Sequence, residues 1–188
     1  MSLFVGTLGF ICYYIYDFNT IWKPQSLARY LFALGSILVV LSLVLEISNQ
    51  INDAIIKGWF FLFVFLGLLF CGLLIYTLFF CFDADEAYLQ VNHLRQAYTK
   101  GMYALCRHPG VIWFILGFFC LYGMFPTKQT LIYVLLMSSY NILYVILQDL
   151  FIFPRTFINY GEYKKQAPFL FPNKKSIREC LKTFHKGE

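Results

Sequence analysis

Trp59-Phe60-Phe61-Leu62-Phe63-Val64-Phe65-Leu66-Gly67-Leu68-Leu69-Phe70-Cys71-Gly72-Leu73-Leu74-Ile75-Tyr76-Thr77-Leu78-Phe79-Phe80-Cys81-Phe82 contains no charged side chain. A helix rises about 1.5 Å per residue, so roughly 20 such residues cross a hydrocarbon core of about 30 Å, and this run is long enough. Four more apolar stretches surround it: Leu3 to Trp22, Leu27 to Ile47, Val111 to Phe125 and Leu131 to Phe153. The Val111 run is short for a span, but Pro109 suits a first helical turn and lengthens it, because no needed hydrogen bond is lost there. Hydrocarbon offers backbone groups no water, and long uninterrupted runs satisfy them as helices rather than as the alternating segments of an outer-membrane barrel. The expected fold class is all-α: a polytopic membrane protein with about five transmembrane helices and a cytosolic helical C-terminal tail.

Composition agrees. Hydrophobic residues make up 60% of the chain, aromatic residues 21% and charged residues 13%, with a mean hydropathy of +0.64. A soluble domain of this size does not normally expose so much apolar surface. The first stretch lacks a basic leading region and an A-x-A-like cleavage site, and Asp17, Asn19 and Trp22 stand where cleavage would fall, so it is read as a retained helix rather than a signal sequence.

The basic residues orient the spans. With the C-terminus in the cytosol, thirteen of the fifteen Lys and Arg residues fall on the cytosolic side, and only Lys57 and Lys128 fall outside. This follows the positive-inside rule, and the reverse orientation inverts it. The loop from Asp83 to His108 and the tail from Pro154 to Glu188 then face the cytosol. A net charge of +5 could suggest nucleic acid, but the cations sit beside spans and in an aromatic-rich tail. Anionic membrane lipids explain them more simply, and no nucleic-acid partner is expected. The six cysteines are scattered, with no C-x-x-C pair and no Cys/His grouping of zinc spacing, so neither a disulfide framework nor a metal is expected. His93 and His185 read as solvated loop and tail residues. The sequence has no internal repeat, and residues 1–188 are expected to form a single membrane domain.

Two places in this apolar chain could do chemistry. The first is Gly101-Met102-Tyr103-Ala104-Leu105-Cys106-Arg107-His108-Pro109, where a cation, an imidazole and a helix-starting proline meet at the membrane surface. Helix N-terminal amides give such a point positive potential, suited to an anionic group. In the plainer reading, Arg107 is a membrane-boundary anchor, His108 an interfacial residue and Pro109 a helix start. The second place is Gln148-Asp149, near the cytosolic end of the last span; an acid at this depth is costly unless it faces protein or a wet cavity. It could also mark the helix end and reach interfacial water. The predicted orientation puts Arg107 and Asp149 on the same membrane face. Asp17 and Glu46, also in apolar runs, are expected near interfaces. In the tail, Tyr160 and Tyr163 are spaced i, i+3 on one helical face beside Lys164, and Pro168 and Pro172 end that helix.

In this order and spacing the pieces resemble the isoprenylcysteine carboxyl methyltransferase and phospholipid methyltransferase superfamily of small integral membrane enzymes. Its pattern is G-x-Y, then R-H-P-x-Y-x-G opening a span, an acidic pair near the end of the next span, and a tail of Y-x-x-Y, V-P and a final proline. Gly101, Tyr103, Arg107, His108, Pro109, Gln148-Asp149, Tyr160, Tyr163, Ala167-Pro168 and Pro172 follow it across roughly the C-terminal half of the chain. Val111 replaces the tyrosine, Trp113 the glycine and Gln148 the first acid, while Phe157 stands where glycine is common.

The resemblance implies methyl transfer from S-adenosylmethionine to a lipophilic acceptor: an isoprenoid-linked carboxylate, a phospholipid amine or another small lipophile. By that resemblance Arg107 and Asp149 are the catalytic residues: Arg107, with His108, holds the cofactor's polar end and helps orient the acceptor, and Asp149 contacts the ribose or the acceptor side. His108, Tyr103, Pro109, Gln148, Tyr160 and Tyr163 surround the cofactor, which the tail covers. A carboxylate acceptor needs a positioning cation such as Arg107, whereas an ammonium acceptor must first lose a proton to a base such as Asp149. A membrane reductase of the sterol-reductase type using NADPH, and a non-catalytic membrane scaffold retaining the fold, are the alternatives.

Overall fold

The computed structural model describes residues 1–22, 29–51, 58–81 and 96–184. His93, His185, the start of the second apolar stretch at Leu27 and the first half of the loop from Asp83 to His108 lie outside the described residues. The described elements are helical, as expected. They are α1 (Ser2–Trp22), α2 (Arg29–Gln50), α3 (Gly58–Ile75, continued by a π-helical turn Tyr76–Phe80), α4 (Met102–Leu105) and α5 (Pro109–Met124). There follow α6 (Lys128–Leu147), a second π-helical turn (Gln148–Ile152), α7 (Phe153–Thr156), α8 (Tyr160–Gln166) and α9 (Lys174–Phe184).

Three helices are long and apolar enough to cross a membrane: Tyr30–Gln50, Gly58–Phe80 and Lys128–Thr156. The helix opened by Pro109 is shorter, at 16 residues. α1 has 21 residues, but its polar Asp17, Asn19 and Thr20 keep it out of that set. Between Gly58 and Ile75 no residue of α3 is buried, and Phe61, Phe65 and Leu68 are each at least 65% exposed. So large an outward apolar surface suits lipid and would be a liability in water.

The fold divides into two compact units, and each is described separately. The first comprises Met1–Leu68 and Ile115–Ile152. Here α1 packs along α2 and also against α6 and its π turn. Apolar burial gives little advantage over lipid contact, so helix association in a membrane depends on close packing and hydrogen bonds between helices. Both are present. Gly9 and Gly35 let two backbones meet: a Cβ built on Gly9 would lie 2.9 Å from the Gly35 carbonyl oxygen, and one on Gly35 2.8 Å from the Gly9 oxygen. Tyr13 Oη donates to Ser36 Oγ at 3.0 Å, and the Ser42 and Tyr133 hydroxyls share a bond of 2.8 Å. Buried Glu46 on α2 accepts Ser2 Oγ at 2.6 Å, with Gln50, Gln129 and Thr130 side chains at 3.4 to 3.5 Å. Tyr13 stacks on Tyr144 and Phe118 on Tyr133, filling the interior with rings.

The second unit comprises Leu69–Phe114 and Phe153–Glu188, with α9 packed on α4. Its core is Tyr160, Tyr163 and Ala167, with Ala97, Tyr103, Phe153 and Phe157 around them.

Candidate functional site

Gly101 opens the site. Its φ of +57° is the left-handed region that L side chains avoid, and a Cβ there would also press on the Cys81 thiol at 3.3 Å. The turn directs the chain into α4, then through an extended Cys106 to Arg107, His108 and the first turn of α5 at Pro109. Proline at this position keeps the helix intact, as its sequence position led us to expect.

Tyr103 on α4 is tied at both ends. Its hydroxyl donates to the Thr77 carbonyl at 3.1 Å, and its carbonyl accepts the Tyr163 hydroxyl at 2.7 Å. Carbonyls in the last turn of a helix lack intrahelical donors, which leaves Thr77 O available in the π turn that ends α3. Trp113 Nε1 donates to Thr77 Oγ1 at 3.1 Å while its ring stacks on Phe70. Burial pushes the Tyr103 and Tyr163 phenols up and the Cys106 thiol up to about 12.

The tail returns to this point. Arg107 N–H donates to Pro168 O at 2.9 Å, and Arg107 Nη1 donates to Ala167 O at 2.8 Å and Lys164 O at 3.3 Å. These carbonyls end α8, where a cation complements both the unsatisfied acceptors and the negative end of the helix. The guanidinium also lies 5.6 Å from the Phe169 ring centre. Buried His108 stacks nearly parallel to Phe153, at 5.6 Å and 11°, and meets Phe169 edge-on at 5.2 Å. Tyr160 and Tyr163, both on α8, touch edge to face at 5.9 Å. Lys164 Nζ lies 5.4 Å over the Tyr160 ring.

The second unit therefore brings together Tyr103, Arg107, His108, Pro109, Tyr160 and Tyr163. The tyrosines are core residues here, with Tyr160 and Tyr163 only 2% and 4% exposed. Positions that depart from the sequence pattern carry packing side chains: Val111 is buried, Trp113 braces the end of α3, and Phe157 packs on Phe153 and Tyr160.

Gln148 and Asp149 belong to the first unit, on the π-helical turn that follows α6. Asp149 is buried. Gln148 Nε2 donates to Asp17 Oδ2 at 2.8 Å, so a carboxylate does stand beside residue 148, supplied by α1. Asp17 was visible in the sequence as an acid in an apolar run, but its partner was not. Two further residues carried no such signal. Asn159 pairs with the Ala97 backbone, accepting its N–H at 2.7 Å and donating to its carbonyl at 3.1 Å. Thr183 accepts Gly101 N–H at 2.9 Å. Among the described residues no group of three or more His, Cys, Asp or Glu side chains could hold a metal ion.

No family model, curated protein or solved structure matches this chain.

Proposed function

We propose that this chain is a multi-pass membrane enzyme of about five spans that transfers a methyl group from S-adenosylmethionine to a lipophilic acceptor at the cytosolic face. One observation supports the reading: the R-H-P turn and the tail, 60 residues apart at Arg107 and Ala167, close on each other through backbone and guanidinium hydrogen bonds. Apart from Gln148-Asp149, which belongs to the first unit, the ordered sequence pieces that carry the resemblance are thus spatial neighbours in the second unit.

The donor's amino-acid end is zwitterionic and its sulfonium is a soft cation. Arg107 and Lys164, both half-buried, offer positive charge to a carboxylate, and the Phe169 ring offers a face to a cation. When bound, the donor supplies an activated methyl group already attached to a good leaving group. The protein's part is to align two reactants and keep water out, without elaborate acid-base machinery. The acceptor reaches such a site from the lipid and the donor from the cytosol. If the acceptor is an amine, a base is required, and the sequence offers Asp149.

A second reading has an observation of its own. His108 is enclosed by aromatic rings and Arg107 caps α8, which are the roles of structural residues in a scaffold.

Titration of the purified protein in detergent with S-adenosylmethionine, its demethylated product and NADPH separates the readings. Saturable binding of the donor and its product is expected. Binding of NADPH alone moves the assignment to a reductase, and no binding of any of the three leaves the scaffold.

A further inference from the structure

α9 presents three different sectors. Asn173 and Ser176 fix its start reciprocally: Ser176 N–H donates to Asn173 Oδ1 at 2.9 Å, and Asn173 N–H donates to Ser176 Oγ at 3.0 Å. The packed sector holds Ser176 and Cys180, both buried, and Thr183, whose hydroxyl takes the Gly101 N–H. An ordinary surface helix would keep its apolar residues on that sector. Here Ile177 and Leu181, spaced i, i+4, point outward at 43% and 59% exposed. The third sector is cationic, with Lys174, Arg178 and Lys182 in one row at i, i+4, i+8 and Lys175 beside them. Glu179, the one acid of the helix, is taken by Lys182 at 2.8 Å.

We propose that α9 docks on an anionic lipid surface, laying Ile177 and Leu181 into the headgroup boundary while Lys174, Lys175 and Arg178 meet the anionic headgroups. An outward apolar stripe flanked by cations is the geometry of a helix lying in a membrane interface. Among the described residues Lys174, Lys175 and Arg178 form no ion pair, and three such cations select a negative surface over a zwitterionic one. Phe171, 86% exposed just before the helix, extends the apolar contact. The opposite sector grips α4 and the Gly101 turn, so the docked helix is anchored to the unit that carries Arg107. The inference rests on the membrane reading and is independent of methyl transfer.

The test uses the full chain in nanodiscs, with an environment-sensitive fluorescent amino acid in place of Leu181. The discs contain either phosphatidylcholine alone or phosphatidylcholine mixed with phosphatidylserine. We expect the emission at position 181 to shift to the blue in the anionic discs and to return toward the red as salt rises. We expect the shift to be lost in a Lys174→Glu/Lys175→Glu/Arg178→Glu variant whose circular dichroism is unchanged. Emission that is water-like in both discs overturns the proposal. So does blue emission that ignores lipid charge, salt and the triple substitution, because the stripe would then be covered without recognition of negative charge. Donor titration in the same discs keeps the hypotheses apart. A lipid-dependent shift without donor binding sinks only the methyltransferase reading, and donor binding without the shift sinks only the docking.

Discussion

Arg107 Nη1 lies 2.8 Å from the Ala167 carbonyl oxygen, so the most suggestive cation in the sequence is used in part to fasten the tail. The bond ends a helix of seven residues, α8, which is too short to hold itself in water. Arg107 is a clamp and, in the proposed function, also a source of positive charge for an anionic ligand. The two roles are compatible because the guanidinium carries five donors in a planar fork.

The clamp makes a clear prediction. Arg107→Ala removes charge-assisted bonds, each worth about 1.5–3 kcal/mol, and frees the end of α8. Trypsin should then cut faster at Lys164 and Lys165 than in the parent protein, with Arg107→Lys intermediate because an ammonium lacks the planar fork. Equal cleavage rates in all three proteins would mean that the tail is held by other contacts.

Cys106 predicts a pH dependence. It is fully buried, and burial holds its thiol up at about 12, against roughly 8.5 in an unfolded chain. Above pH of about 8.5 the unfolded state loses this proton while the folded state keeps it, so stability is complete below that point and falls as pH rises toward 12. The slope is at most about 1.4 kcal/mol per pH unit. Thermal midpoints in detergent should therefore decline between pH of about 9 and 10 in the parent and decline less in Cys106→Ala. Above about 10 the phenols of partly buried Tyr103 and buried Tyr163 add a loss common to both proteins. Parallel curves through the lower window would show that the thiol is not protected.

The sequence conveyed part of this arrangement and withheld the rest for physical reasons. Long apolar runs, Pro109 at a helix start, and prolines after α8 are local signals, and the helices follow them. The i, i+3 spacing of Tyr160 and Tyr163 also holds, but it puts both rings in the core rather than at a surface. The two π-helical turns are different. Each adds a residue to one helical turn, and nothing in Tyr76–Phe80 or Gln148–Ile152 marks it locally. The Arg107 clamp was hidden because its acceptors are main-chain carbonyls, which every residue has. Asp17 and Gln148 stand 131 residues apart, and no periodicity connects them.

That last pair is testable because a buried carboxylate depends on its donors. Gln148→Leu deletes the amide that donates to Asp17 and should cost about 1–3 kcal/mol of stability. Adding Asp17→Asn to it should cost less than the two single effects combined, a coupling that a double-mutant cycle in detergent measures. Strict additivity would mean that the two side chains do not interact.

Gly9 and Gly35 give the sharpest steric prediction. A methyl group at position 9 would meet the Gly35 carbonyl oxygen at 2.9 Å and Val39 Cγ2 at 2.9 Å, and the first of these is backbone that cannot turn aside. Helix propensity alone favours Gly9→Ala by about 1 kcal/mol, so an isolated helix would gain from it. Overpacking opposes that gain with about 1–3 kcal/mol, because α1 and α2 must separate to admit the methyl. Separation also stretches the Tyr13 to Ser36 bond and the ring contact of Tyr13 with Phe32. We therefore expect a lower thermal midpoint for Gly9→Ala. Gly72→Ala serves as the control, since a Cβ there meets nothing within 4 Å and only the propensity gain applies. A Gly9→Ala protein as stable as the Gly72→Ala protein would show that the two backbones do not cross here.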